Sequence, residues 1–166
     1  YSWDGVEAFE QDHYFLDGET AVAATAYIGS AEDGSKEVTL DLRGNPLMGS
    51  TRIFRVYGKL NILDTVGGGT VTSNASNQAP VFYVYKNAEM NIYGGIFTGN
   101  STSTSGGGVG AVDNGTLNIY GGKIIGGDVT VSSYNFSGIN GAGGAIYAGS
   151  TLHIYGGEIT SGTVPE

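Results

Sequence analysis

The sequence predicts an all-β chain, a right-handed parallel β-helix of about five coils with an N-terminal cap. Three observations predict it. A short motif recurs, with residues 90–97 reading MNIYGGIF, 117–124 LNIYGGKI and 152–159 LHIYGGEI. The same pair of glycines follows the same apolar run each time, and inside each run apolar residues alternate with a period of two. A degenerate copy, LNILDTVGGGTV, starts at Leu60 and a remoter one, LDLRG, at Leu40, so that successive starts lie 20, 30, 27 and 35 residues apart. Such spacings fit one coil of a solenoid with insertions taken up in loops. No period of 3.6 residues appears in residues 38–166. An antiparallel sandwich, the competing fold, gives no reason for Gly-Gly to follow the same strand in every repeat.

Taken in chain order, residues 1–37 lack the motif and read as the cap, with Trp3 as its anchor, and residues 38–166 read as the helix, cap and helix forming one domain. The expected inward rows are Leu40/Leu60/Met90/Leu117/Leu152 and Leu42/Ile62/Ile92/Ile119/Ile154. The expected outward rows are Asp41/Asn61/Asn91/Asn118/His153 and Arg43/Leu63/Tyr93/Tyr120/Tyr155. A second apolar segment precedes each copy, with Phe54/Val56, Phe82/Val84, Val109/Ala111 and Ile146/Ala148 pointing inward. Ile159 opens a further strand, and Val164-Pro165 reads as the start of a linker into a larger multidomain chain.

Thirty glycines would suit low complexity, but a hydrophobic content of 40 % is too high for a disordered chain, so the glycines must serve regular turns. Ten acids against one base, Lys36, fall in residues 1–41 and account for the whole net charge of −9. The rest of the chain is balanced. No basic stripe exists for nucleic acid, and an anionic polysaccharide such as pectate would be repelled. No apolar stretch nears the roughly 20 residues of a membrane span, so no membrane insertion is expected. Cysteine is absent.

The stretches VTLDLRGNPL, KLNILDTVGGGTV and MNIYGGIFTGN resemble bacterial secreted and cell-surface repeats of the pectate-lyase-like β-helix group, over about residues 36–162. Phe97-Thr98-Gly99-Asn100 followed by Gly106-Gly107-Gly108-Val109 is similar to the FxxN and GGxI signatures of polymorphic outer-membrane adhesins. In size and surface aromatics the chain is also similar to β-helical carbohydrate-binding modules, xylan-binding ones included. The resemblance implies a secreted, extracellular protein and a polysaccharide partner. It carries no binding motif residue by residue.

Chemistry is expected to be absent. Glycoside hydrolysis wants two carboxyl groups roughly 5–10 Å apart, and the expected register sets no two acids on one outward row in adjacent coils. No lyase-type aspartate cluster assembles, His13 has no second ligand at metal-like spacing, and His153 takes the outward position that is Asn in the preceding coils, a surface polar role. The acidic runs Asp17–Glu19 and Glu32–Gly34 read as solvated loop carboxylates, with calcium binding as the alternative. The expectation is therefore a non-catalytic module without cofactor or metal. Binding would use outward tyrosines, whose rings stack on sugars while amides reach hydroxyls. The candidates are Tyr93, Tyr120 and Tyr155 with Asn91, Asn118 and His153, then Tyr83 and Tyr147 beside Arg55, then Tyr134 and Phe136 in the 126–143 excursion. The ligand expected is a neutral β-linked plant cell-wall glycan, xylan first. The alternatives are tyrosines that only shield the sheet, and a structural or adhesive stalk segment of a surface protein.

Overall fold

The computed structural model describes residues 1–6, 8–73, 79–99, 108–127, 135–136, 139–140 and 145–160. Among them the regular elements are short strands, and no helix is long and apolar enough to cross a membrane. The strands come in rounds. The first is β1 (His13–Phe15), β2 (Thr20–Val22) and β3 (Ala26–Ile28), the second β4 (Glu37–Asp41), β5 (Pro46–Gly49) and β6 (Phe54–Val56). The third is β7 (Lys59–Leu63), β8 (Thr70–Ser73) and β9 (Phe82–Val84), the fourth β10 (Glu89–Ile92), β11 (Ile96–Thr98) and β12 (Gly110–Val112). In the fifth, β13 (Thr116–Ile119) and β14 (Lys123–Ile125) precede an antiparallel pair, β15 (Asn135–Phe136) and β16 (Ile139–Asn140), and then β17 (Ile146–Ala148). Finally come β18 (Thr151–Ile154) and β19 (Glu158–Thr160).

Equivalent strands of successive rounds pair in parallel and make three sheets. The first runs β1-β4-β7-β10-β13-β18, the second β2-β5-β8-β11-β14-β19 and the third β3-β6-β9-β12-β17. That order is consistent with a parallel β-helix. Inward residues meet in a continuous core, where Leu60, Met90 and Leu117 stack in register with Ile62, Ile92 and Ile119 beside them, all essentially inaccessible. Leu152 and Ile154 extend both rows on the last described strand of the sheet, Leu152 half-buried and Ile154 exposed.

The Tyr-Gly-Gly corner has a steric cause. A Cβ on Gly121 would come 2.7 Å from the Tyr93 carbonyl oxygen of the preceding round, too close for any side chain. Gly122 has φ +84°, a left-handed conformation in which a Cβ is strained. The degenerate third round solves its corner differently. There Asp64 accepts bonds from the Gly44, Gly67 and Gly69 amides at 2.7, 3.3 and 2.9 Å.

Three expectations are corrected. Residues 1–37, expected to lie outside the repeat, supply the first round, because Tyr14/Leu16, Thr20/Val22 and Ala26/Ile28 alternate without any Gly-Gly signature. Trp3 is buried nonetheless, its ring 4.6 Å from Phe9, and its amide donates to the Phe15 carbonyl at 2.9 Å along the edge of β1.

The other two concern register. Val38 pairs with Leu60 and Leu40 with Ile62, so the Leu40 copy sits two residues from its expected place. A two-residue slip keeps every face. Arg43, at φ +51°, is already in the corner, and Thr39 and Asp41 hold the outward positions assigned to Asp41 and Arg43. In the third sheet Gly110 and Val112 align with Phe82 and Val84, in place of Val109 and Ala111. The inward position is glycine because a Cβ there would run into the Phe82 ring. Asn100, Gly106, Gly107 and Tyr134 lie outside the described residues, as does the 161–166 segment.

Candidate functional site

Two outward faces carry the candidate residues. On the first sheet, alternation projects the residue after each inward Leu or Met away from the core. His13, Thr39, Asn61, Asn91, Asn118 and His153 thus form one row. Its amides bond to each other along the stack. Asn91 Nδ2 donates to Asn61 Oδ1 and Asn118 Nδ2 to Asn91 Oδ1, each at 2.8 Å. His153 Nδ1 continues the chain 2.9 Å from Asn118 Oδ1, a contact that needs the proton on Nδ1. Asn91 also donates to Glu89 Oε1 at 2.7 Å, and Asn61 to Glu37 Oε1 at 3.1 Å. Lys59 sits between those two carboxylates at 3.5 and 3.7 Å, which hold its ammonium pKa above the usual lysine value. Asn91 and Asn118 are only 3 % and 8 % exposed. Asn91 spends both amide hydrogens and its oxygen on neighbouring side chains, and burial withdraws both amides from a ligand.

One corner residue further on, Tyr93, Tyr120 and Tyr155 stand on consecutive rounds. Their rings are parallel within 8°, with centroids 4.8 and 4.9 Å apart, the interval between strands. They are 46, 43 and 65 % exposed, the most accessible ordered aromatic row of the molecule among the described residues. Partial burial and then the neighbouring tyrosines push the central Tyr120 phenol up.

The third sheet carries a different chemistry. Its central outward row is Tyr27, Arg55, Tyr83, Ala111 and Tyr147. Tyr83 and Tyr147 are therefore on one row, as expected, but with Ala111 between them. Tyr83 is 7 % exposed. Its phenol donates to Asp113 Oδ2 at 3.2 Å, and burial, then Asp113, pushes its pKa well up. Just past the strand ends, Tyr57, Tyr85 and Asp113 form a parallel row, each amide bonding the preceding round. Tyr57 and Tyr85 stack at 4.1 Å and 7°, and Tyr83 leans on Tyr85 at 4.4 Å. Arg52 lies over the Tyr83 ring at 5.1 Å. Arg55 lies 5.7 Å over the Tyr27 ring and donates through Nη1 to the Tyr27 hydroxyl at 3.2 Å.

The tyrosines of the first sheet are thus brought together, whereas the asparagines beside them are withdrawn and Tyr83 and Tyr147 stand apart. Tyr27, Arg52, Tyr57, Tyr85 and Asp113 were not among the expected site residues. The repeated Arg-Val-Tyr of 55–57 and Tyr-Val-Tyr of 83–85 was the available signal, since residues two apart share a face. The side chain of Phe136 lies outside what the structure describes. Among the described residues no three His, Cys, Asp or Glu side chains gather in a way that could hold a metal ion. In the acidic runs, Asp33 accepts from the Ser35 amide at 2.9 Å. Comparison with protein-family models, with curated proteins and with solved structures finds no match.

Proposed function

We propose that the chain is a right-handed parallel β-helix serving as a secreted, non-catalytic carbohydrate-binding module for a plant cell-wall polysaccharide, xylan first. The observation that carries this reading is the exposed row Tyr93/Tyr120/Tyr155, three parallel rings repeated every 4.8–4.9 Å on a continuous sheet. That repeat is comparable to one sugar unit of an extended β-linked chain. The right hand follows the rule for parallel strands joined by crossovers. With the Asn91/Asn118 row consumed internally, hydroxyl recognition on this face falls to the phenol groups themselves.

Gel electrophoresis through soluble xylan tests the reading. The protein should be retarded, and Tyr120→Ala should weaken binding by about 1–3 kcal/mol, since it removes the central ring. Salt should change this component little, because apolar contact with the exposed ring edges and neutral hydrogen bonds to the phenols carry it. The fold should survive, Leu117 and Ile119 being untouched. Unchanged retardation in Tyr120→Ala would move the site off this face, and no retardation by any neutral or lightly substituted glycan would remove the reading.

A structural or adhesive stalk segment is the second reading. The buried amide ladder Asn61/Asn91/Asn118, which ties successive rounds to one another and offers nothing to a ligand, favours it.

A further inference from the structure

We infer that the third-sheet cluster of Arg52, Arg55, Tyr27, Tyr57, Tyr83 and Tyr85 is a second binding site, and that it takes the carboxylate of a uronic-acid branch on the glycan. The inference rests on the carbohydrate-binding reading above and adds the ligand class.

Lys36, Arg43, Lys59 and Lys123 each have a carboxylate oxygen within 3.0–3.9 Å. Of the seven bases, Arg52, Arg55 and Lys86 make no ion pair among the described residues, and only the two arginines also carry a buried nitrogen without a hydrogen-bond partner, Nε in each. This occurs in a chain with sixteen acids and only seven bases, where a carboxylate partner is easily supplied. Asp113, the acid on the neighbouring row, is already engaged by the Tyr83 hydroxyl and by Asn114 Nδ2 at 2.8 Å. Burial depresses the Arg52 pKa, against Tyr85 and with Arg55, as expected for two like charges sharing a half-dry surface. The enclosed Nε atoms lie out of a ligand's reach, so an arriving oxyanion would meet the Nη groups and balance a charge that no carboxylate of the described residues pairs with.

The chemistry of the cluster selects that anion. A guanidinium fork matches a planar carboxylate with two parallel N–H bonds. The surrounding phenols supply ring surface and hydroxyl partners of the sort a sugar ring uses. Tyr27 also lines an apolar hollow of about 170 Å³ with Trp3, Val6, Ala8, Phe9 and Ala24, which adds apolar surface at the Tyr27 end of the cluster. The net charge of −9 limits how many carboxylates the ligand can bear. A neutral backbone with sparse uronate branches satisfies both demands, where a polyuronate does not.

The test compares glucuronoxylan with the same polymer after its carboxyl groups have been reduced to alcohols, for the unmodified protein, Arg55→Gln, Arg52→Gln and Tyr120→Ala. Arg52 and Arg55 are both half-buried, so Arg55→Gln and Arg52→Gln are each read on protein whose melting temperature is kept, and the polymer comparison on the unmodified protein decides where neither keeps it. Reduction of the polymer and Arg55→Gln should each weaken binding roughly tenfold or more, the size of a charge-assisted hydrogen-bonded contact. The two effects should not add, and the lost component should be the salt-sensitive one. Free glucuronate should compete with the native polymer and not with the reduced one. Equal affinity for both polymers, with Arg55→Gln unchanged and Tyr120→Ala impaired, would overturn the inference while leaving the tyrosine reading standing. No binding of either polymer would overturn both.

Discussion

Asn91 sits where alternation along β10 sends a side chain outward, yet it is almost wholly hidden. Strand spacing explains this. At about 4.8 Å between rounds, a side-chain amide reaches the amide of the round below and is itself reached from above. Each such group is worth little while paired and a good deal when left alone. Asn91→Ala would strip the acceptor from Asn118 Nδ2 and the donors from Asn61 Oδ1 and Glu89 Oε1. We expect it to lower the free energy of unfolding by about 1–3 kcal/mol in urea titrations. Xylan retardation of the folded protein should be unchanged. Loss of glycan binding at undiminished stability would show that these amides face a ligand rather than each other.

Individual strands differ in how far their sequence discloses them. The three copies of the Tyr-Gly-Gly motif specify both face and register, because the glycine pair marks the end of the strand and fixes where counting starts. In β4 no such mark exists: Val38, Leu40 and Leu42 are all apolar at period two, and pairing Leu40 with Leu60 or with Ile62 buries an equal set. Only the corner, where Arg43 takes a left-handed conformation, separates the two. The first round was illegible for the same reason, its corners being built without the glycine pair. The arginine cluster was half-legible, since Arg55 and Tyr83 follow from alternation. Arg52 precedes β6, where no period applies.

The slip in β12 can be tested directly. With Gly110 facing the core, Gly110→Ala drives a methyl group against the Phe82 ring. Overpacking of this kind costs about 1–3 kcal/mol. Combining it with Phe82→Leu should recover part of that loss, the signature of two residues in contact. A neutral Gly110→Ala, or strict additivity in the double variant, would put Ala111 back on the inward row.

Across the whole molecule, each round buries its apolar edge against only the rounds on either side, so stability should accumulate by neighbours rather than arise from one centre. The first-sheet leucines measure this because their chemistry is identical and their neighbours are not. Leu117 lies between Met90 and Leu152 and is fully enclosed. Leu152 has Leu117 on one side, is half-buried, and belongs to the last described strand of its sheet. Leu117→Ala should cost about 2–5 kcal/mol, as a buried leucine does when its cavity cannot collapse. Leu152→Ala should cost well under half of that. Amide hydrogen exchange should order the strands the same way, with β18 and β19 exchanging ahead of β7 and β10. Leu152→Ala should hasten exchange in β18 and leave β7 nearly as slow as before, while Leu117→Ala should release every strand from β10 onward. Equal costs for the two leucines, or exchange that rises uniformly in both variants, would mean that the rounds unfold as one cooperative block.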